Sequence, residues 1–428
     1  MIKKLLANVG DYKKASLLTP VYVAGEVALD VIMPLIMAMM IDQGIEKGHA
    51  GVILRYGGLL FLCSLLALML GTLGGRTAAI ASAGFARNLR HNLFSKIQDF
   101  SFSNIDRFSS SSLITRMTTD VTNVQNAYQM IIRILVRSPL ILVFSLIMVS
   151  TISPELMLVY LVVLPILAIG LALVIRFAHP LFLKVFRIYD RLNNVVQENL
   201  QGIRVVKSYV REEQQEELFD EVSNDVYRNF TLAQRIVSFN MPLMQFSIYS
   251  CMLLLSWFGA QLIVEHSSLT TGELVSMFNY TMQILMSLMM MSMAFVQILI
   301  ARTSAQRVVE VLDEESDLKN PASPLTEVKD GSIVFENACF SYANDQTRLA
   351  LENVNLRIES GEVIGIIGGT GSAKSTLVQL IPRLYDVIDG RVLVGGQDVR
   401  AYDLAALRDQ VSMVLQNNVL FSGTISEN

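Results

Sequence analysis

The stretch Gly368-Gly369-Thr370-Gly371-Ser372-Ala373-Lys374-Ser375-Thr376 follows a short apolar run, Val363 to Ile367, and precedes a helical pattern. In order this reads strand, glycine-rich loop, helix. Such a loop turns successive backbone N–H groups inward, and the new helix adds its positive N-terminal end, so the whole cradles a polyphosphate. In that context Lys374 reaches the β- and γ-phosphates and the Ser375 hydroxyl binds Mg²⁺. Where the usual pattern has glycine before the lysine, this chain has Ala373. A methyl group costs little there if the backbone is helical and more if φ is positive.

Outward from this loop the composition changes character. Hydrophobic residues make up 52% of the 428 and charged residues 17%, against about 25% charged in soluble proteins. A long segment must therefore be solvated by lipid. The length calls for two or three domains. A net charge of −4 offers no large basic surface, so no nucleic-acid partner is expected. Cys63, Cys251 and Cys339 lack metal spacing and read as buried small hydrophobes. His49, His91, His179 and His266 are equally scattered. Met1 to Lys4 resembles a signal-peptide start, but Asp11, Lys13 and Lys14 interrupt the apolar run behind it. No small-residue cleavage pattern appears, so the first apolar segment is retained.

Apolar stretches near 17–42, 54–82, 131–152, 155–178, 241–264 and 273–300 are each long enough to cross ~30 Å of hydrocarbon as a helix. Lys3, Lys4, Lys13 and Lys14 precede the first and favour a cytoplasmic N-terminus. Six crossings return the chain to the cytoplasm. The outer links, around 43–53, 151–155 and 264–272, are short. The inner ones, 83–130 and 179–240, are long, charged and helical in pattern, and predict two hairpins projecting into the cytosol. Their tips read as Phe102 to Phe108 and Gly202 to Tyr209, each mixing aromatic and charged residues suited to docking.

Glu26 and Asp30 share one face of the first span. Charges at membrane depth face the bundle interior or water, so these two mark either a substrate path or a pairing between helices. Arg76, Arg133, Arg137 and Arg176 lie near cytoplasmic helix ends, which favours pairing or snorkelling. Met286, Met289, Met290, Met291 and Met293 crowd the sixth span. They form either a surface adaptable to varied apolar ligands or plain packing surface.

After the last span, Asp313 to Pro324 is acidic with two prolines and reads as a linker. Short strands begin at Ile333, at Val354 to Ile358 and at Arg391 to Val394, with a buried strand expected at Val411 to Leu415. Tyr342 comes just after the first of them, where a ring can stack on adenine. Gln416 ends the last and can reach Mg²⁺ or an attacking water; by position alone it also reads as an ordinary solvated residue.

With these residues in view the chain resembles the ABC exporters, as a half-transporter of the multidrug and lipid export type. The resemblance rests on six spans with two cytosolic hairpins, Tyr342, the loop Gly368 to Thr376, and the segment Val414 to Asn428. It implies an α-helical six-span transmembrane domain over 1–302, a linker over 303–329, and the N-terminal part of an α/β P-loop nucleotide-binding domain over 330–428. It further implies Tyr342 as the adenine-stacking aromatic, Lys374, Ser375 and Thr376 as holders of phosphate and Mg²⁺, and Gln416 as the glutamine that senses the γ-phosphate and helps hold the metal. The two hairpin tips become coupling helices. ATP and Mg²⁺ are the cofactors. The partners are a second half-transporter, identical or not, the lipid bilayer, and a small-molecule or lipid substrate.

The implied location is a bacterial plasma membrane with the nucleotide-binding domain in the cytoplasm. The implied function is ATP-driven export of small amphipathic, drug-like, lipid or peptide substrates. An importer on the same scaffold, a membrane-anchored ATP sensor and a nonfunctional truncated product are the alternatives. The chain stops at Asn428, before the family's signature motif, Walker B aspartate, catalytic glutamate and switch histidine. As a piece of a longer protein it is expected to bind nucleotide poorly and not to complete hydrolysis. Val394-Gly395-Gly396-Gln397 lies before Gln416 in a strand-turn context and is rejected as the signature.

Overall fold

A computed structural model describes residues 1–266, 268–416 and 420–427. The helices are α1 (Ile2–Ala7), α2 (Lys13–Met40), α3 (Ala50–Gln98), α4 (Phe102–Phe108), α5 (Ser110–Thr115), α6 (Val121–Ile152), α7 (Pro154–Ser208), α8 (Glu212–Ser238), α9 (Asn240–Gln261), α10 (Thr271–Asp313), α11 (Lys374–Leu380) and α12 (Leu404–Gln410). The strands are β1 (Ile333–Phe340), β2 (Leu351–Ile358), β3 (Asp389–Val394) and β4 (Gln397–Asp398). Two compact units emerge: Asp11–Gly84 with Asn126–Leu299, and Met1–Gly10 with Phe85–Gln125 and Ile300–Asn428.

Six helical stretches, Gly10–Ile45, Ala50–Gln98, Ser110–Ile152, Pro154–Ser208, Glu212–Glu265 and Thr271–Asp313, are long and apolar enough to cross a membrane. They coincide with the six apolar runs of the sequence. The links expected outside are short here too. At one of them Ser153 caps α7, its hydroxyl accepting from Leu156 N at 3.3 Å, with Pro154 in the first helical turn, where a missing N–H costs nothing.

In the first unit the core runs along one stripe of α2, Val23, Val27 and Val31, against Tyr160 and Val163 of α7, Leu255 of α9 and Tyr280 and Ile284 of α10. Large apolar side chains on other faces, such as Leu158, Leu161 and Ile166, are exposed, as helices solvated by lipid require. Pro34 lies inside α2 and removes the N–H that would bond the Asp30 carbonyl. That carbonyl instead accepts from Gln283 Nε2 at 3.0 Å, and the neighbouring Val31 carbonyl from the Tyr280 hydroxyl at 2.8 Å. The Pro34 carbonyl accepts from the Ser276 hydroxyl.

The second hairpin tip differs in detail from its expectation. Gly202 to Ser208 belong to the last turns of α7, and the chain reverses at Tyr209–Arg211, with Val210 at φ 52°. The flanking residues are good helix formers and carry the helix through Gly202.

The other unit holds an antiparallel sheet in the order β2-β1-β3-β4. Phe335 of β1 faces Leu356 on one side and Val392 on the other. Its core joins Phe335, Phe340, Val392 and Val394 to Leu380, Tyr402 and Leu407. Val394 to Gln397 is the β3–β4 hairpin turn, with Gly395 at φ 57° and Gly396 at φ 76°. Positive φ at both central positions is the hairpin geometry that favours glycine. Of the expected linker, 303–313 continue α10, and 314–329 carry no helix but are pinned: Leu325 bridges to Tyr402, its N donating to Ala401 O at 2.9 Å, and Asn320 Nδ2 donates to Asp403 at 2.6 Å.

Two expected strands do not form. Neither Val363 to Ile367 nor Val411 to Leu415 pairs with another strand among the described residues. Val363 and Ile367 are 96% and 98% exposed. Both runs have strand composition, but a strand is defined by its ladder, and β1 to β4 pair only with one another.

Candidate functional site

The glycine-rich loop leads into α11 as the motif requires. Gly371 sits at φ 84° and Ala373, the N-cap of α11, at φ 58° and ψ 23°. The left-handed region suits glycine and costs an L-residue about 1–2 kcal/mol. Ala373 thus holds the strained geometry, and the benign case of a helical backbone does not apply. The Lys374 ammonium lies within the curve of the loop, donating to the carbonyls of Gly368 at 2.8 Å and Gly369 at 2.7 Å and to Ser372 Oγ at 3.3 Å. The Ser372 hydroxyl donates to Gly369 O at 2.9 Å, closing the turn. Thr370 is exposed at the loop crest, and Ser375, the residue after Lys374, is exposed too.

Thr376 points the other way. It is buried, and its hydroxyl is 2.9 Å from that of Tyr342. Tyr342 stands just past the end of β1, its ring edge-on to Phe340 at 4.8 Å and to Tyr385 at 5.4 Å, and it remains 53% exposed. The fold therefore brings Tyr342, Lys374, Ser375 and Thr376 to one place. Gln416 is exposed and makes no hydrogen bond to the loop among the described residues. Asn417, Asn418, Val419 and Asn428, from the end of the chain, lie outside the described residues.

Tyr385 was not singled out by sequence. Its ring packs on Tyr342 and on Phe102 of α4, 6.0 Å away, and its hydroxyl donates to Asp106 of α4 at 2.7 Å. Burial, then the Asp106 carboxylate, pushes the Tyr385 phenol above its ordinary pKa. Nothing in the residues around Tyr385 marks it, because its partners come from distant segments.

Helix α4 is itself well anchored. Ser101 and Asn104 form a reciprocal cap, and Asn104 Nδ2 donates to Glu314 at 2.8 Å while Arg107 pairs with the same carboxylate at 3.0 Å. The Ser103 hydroxyl donates to Asp317 at 2.6 Å. Burial opposes ionisation of Asp317, but hydrogen bonds from Ser101 and Ser103 outweigh it and hold its carboxyl below the usual value.

Within the other unit Arg137 pairs with Glu26 at 2.8 Å and with Asp30 at 2.9 Å. Both acids thus make a pairing between helices, one of the two roles open to them, and Asp30 and Arg137 also line a cavity of this unit.

The residues fit a nucleoside triphosphate with Mg²⁺: a loop with a central ammonium, a hydroxyl next to it and a half-exposed ring tied to the same helix. Comparison with known proteins agrees on the nucleotide. Residues 18–289 match the family model of the ABC transporter transmembrane region, and 351–428 match that of the ABC transporter. An uncharacterized ABC transporter ATP-binding protein of Bacillus subtilis is 34% identical over all of this chain and 74% of its own length. An uncharacterized ABC transporter ATP-binding protein of Mycobacterium tuberculosis is 33% identical over 92% of this chain and 68% of its own. A protein of Mycobacterium bovis named as a fatty acid ABC transporter ATP-binding/permease protein is 30% identical over 79% and 53%.

Proposed function

The chain belongs to the ABC transporters, a multi-pass membrane protein with a cytoplasmic ATP-binding domain, and from that premise we propose that it is one half of an ATP-driven exporter. The observation that carries this reading is a single chain holding six spans and a loop in which Lys374 and Ser375 stand ready for phosphate. One phosphate loop per six spans calls for a second half, identical or not. The division is 1–302 for the membrane domain, 303–329 for the linker and 330–428 for the start of the nucleotide-binding domain. The membrane is a bacterial plasma membrane.

Bound at the loop, ATP with Mg²⁺ supplies the binding and hydrolysis energy of the cycle. Gly368, Gly369, Thr370, Gly371, Ser372 and Ala373 offer backbone N–H groups to phosphate oxygens. Lys374, now on the Gly368 and Gly369 carbonyls, would hold phosphate charge, Ser375 would hold the metal, and Tyr342 would stack on the base while its hydroxyl steadies Thr376. Gln416, exposed here, would offer its side-chain amide to the γ-phosphate and the metal. Tyr385 connects Tyr342 to α4, so closure around nucleotide is felt by a helix of the first cytosolic hairpin.

The substrates are small and amphipathic, drug-like, lipid or peptide; the relative named for fatty acid belongs to that range. The test is ATP-dependent uptake of a dye into inside-out vesicles carrying the full-length protein, with Lys374→Ala as control. Uptake lost in K374A supports the exporter. Retained ATP binding without transport in either direction makes the chain a sensor, and ATP-driven movement in the opposite direction makes it an importer.

A further inference from the structure

We propose that the cavity between α6 and α10 receives an anionic amphiphile, an alkyl chain ending in a carboxylate or phosphate, with its head on Arg133. This rests on the exporter reading and names its substrate class. The cavity measures about 860 Å³, within the range of sites that take a small ligand. As half of a transporter, the chain supplies one wall of it.

Depth in the cavity tracks position in the sequence, because α6 runs outward across the membrane and α10 runs back. Asn126, Gln129 and Gln297 line the cytoplasmic end, and Ile141 and Met282 the outer end. Arg133 lies between, with Met282, Met286 and Met290 continuing outward on the facing helix. Arg137 and Asp30 also line the cavity but pair with each other, so Arg133 is the cation of the lining left for a charged head, while Ile141 and the methionines supply apolar surface for a tail beside Ser138 and Gln283. Unbranched, polarizable methionines tolerate tails of varied shape.

The charge arrangement selects the sign of the head. Arg137, one turn beyond Arg133, is taken by Glu26 and Asp30. Arg133 is half-buried and has no ion pair among the described residues. Its guanidinium lies across Gly75 of α3, where an added Cβ would be 3.5 Å from Nη1. A cation at membrane depth is costly without a counter-charge, and a guanidinium fits carboxylate or phosphate in bidentate fashion. Glu26 and Asp30 against Arg137 and Arg133 sum to zero, so the group offers a cationic ligand no net negative charge, and both acids are already engaged by Arg137. Glu26 Oε2 is buried, and a cation at Asp30 would share the cavity with Arg133.

The test is equilibrium binding to the full-length protein in nanodiscs of zwitterionic lipid, without nucleotide. Four probes of one chain length are used: laurate, dodecyl phosphate, dodecyltrimethylammonium and dodecyl maltoside. The two anions are expected to bind about tenfold tighter than the others, a difference of ~1.4 kcal/mol. Arg133→Gln should erase that preference and Arg133→Lys restore part of it, with dodecyl maltoside unaffected. A cation bound as tightly as the anions, or a preference within twofold of wild type in R133Q, overturns the proposal. The wild-type probe series decides even if R133Q does not fold. A wild type without head-group preference but with ATP-driven uptake removes only this inference, whereas preference without any uptake removes the exporter.

Discussion

The Tyr385 hydroxyl donates to Asp106 at 2.7 Å while its ring packs against Tyr342 at 5.4 Å, so one side chain touches both a capped cytosolic helix and the ring beside the phosphate loop. Tyr385→Phe keeps the ring and removes the hydrogen bond. We expect a loss of about 1 kcal/mol in stability, little change in ATP affinity and fewer substrate molecules moved per ATP. Parallel transport and ATPase assays in proteoliposomes check this; an unchanged ratio sinks the connecting role.

The same phenol sets a pH dependence. Its pKa is raised in the fold, first by burial and then by Asp106. The stability it contributes is therefore complete below the ordinary tyrosine value of about 10 and is lost as pH rises through the higher folded value. Melting temperatures between pH 8 and 11 should fall more steeply for wild type than for Y385F. Parallel curves would contradict this.

Ala373 holds φ 58°, so Ala373→Gly should relieve about 1 kcal/mol of strain. The expected result is a higher melting temperature, with ATP affinity unchanged or modestly tighter. A clear loss of affinity in a nucleotide titration would refute it.

Arg137 pairs with both Glu26 and Asp30 on the first span. Arg137→Met should cost about 3 kcal/mol, the low end for a broken buried pair, since 37% of the arginine side chain is exposed. Adding Glu26→Gln and Asp30→Asn should recover most of that loss. Thermal unfolding in detergent gives the comparison, and no recovery would mean that the arginine acts through packing alone.

The membrane part was legible because lipid imposes a uniform demand: only a run of some twenty apolar residues meets it, and six such runs in one chain have no place in a soluble core. The phosphate loop was legible because its residues act locally, within one turn. Position on the chain could not say that Arg137 would meet Glu26 and Asp30, since a span reveals its faces but not its neighbours. Tyr385 was invisible for the same reason, its partners Asp106, Phe102 and Tyr342 arriving from elsewhere. The runs at Val363 and Val411 show the converse. Strand composition is local, whereas a ladder needs a second strand.

The seam between α2 and α10 has a one-sided authorship. Tyr280, Gln283 and Ser276 fasten to carbonyls that every residue possesses, and Pro34 merely leaves one of them open. The side chains of Asp30 and Val31 are thus free of the fastening and serve elsewhere, one on Arg137 and one in the core, while Pro34 and three positions on α10 carry the joint. Two copies of such a scaffold, once duplicated, would keep the same latch for as long as Pro34 and those three positions on α10 persisted.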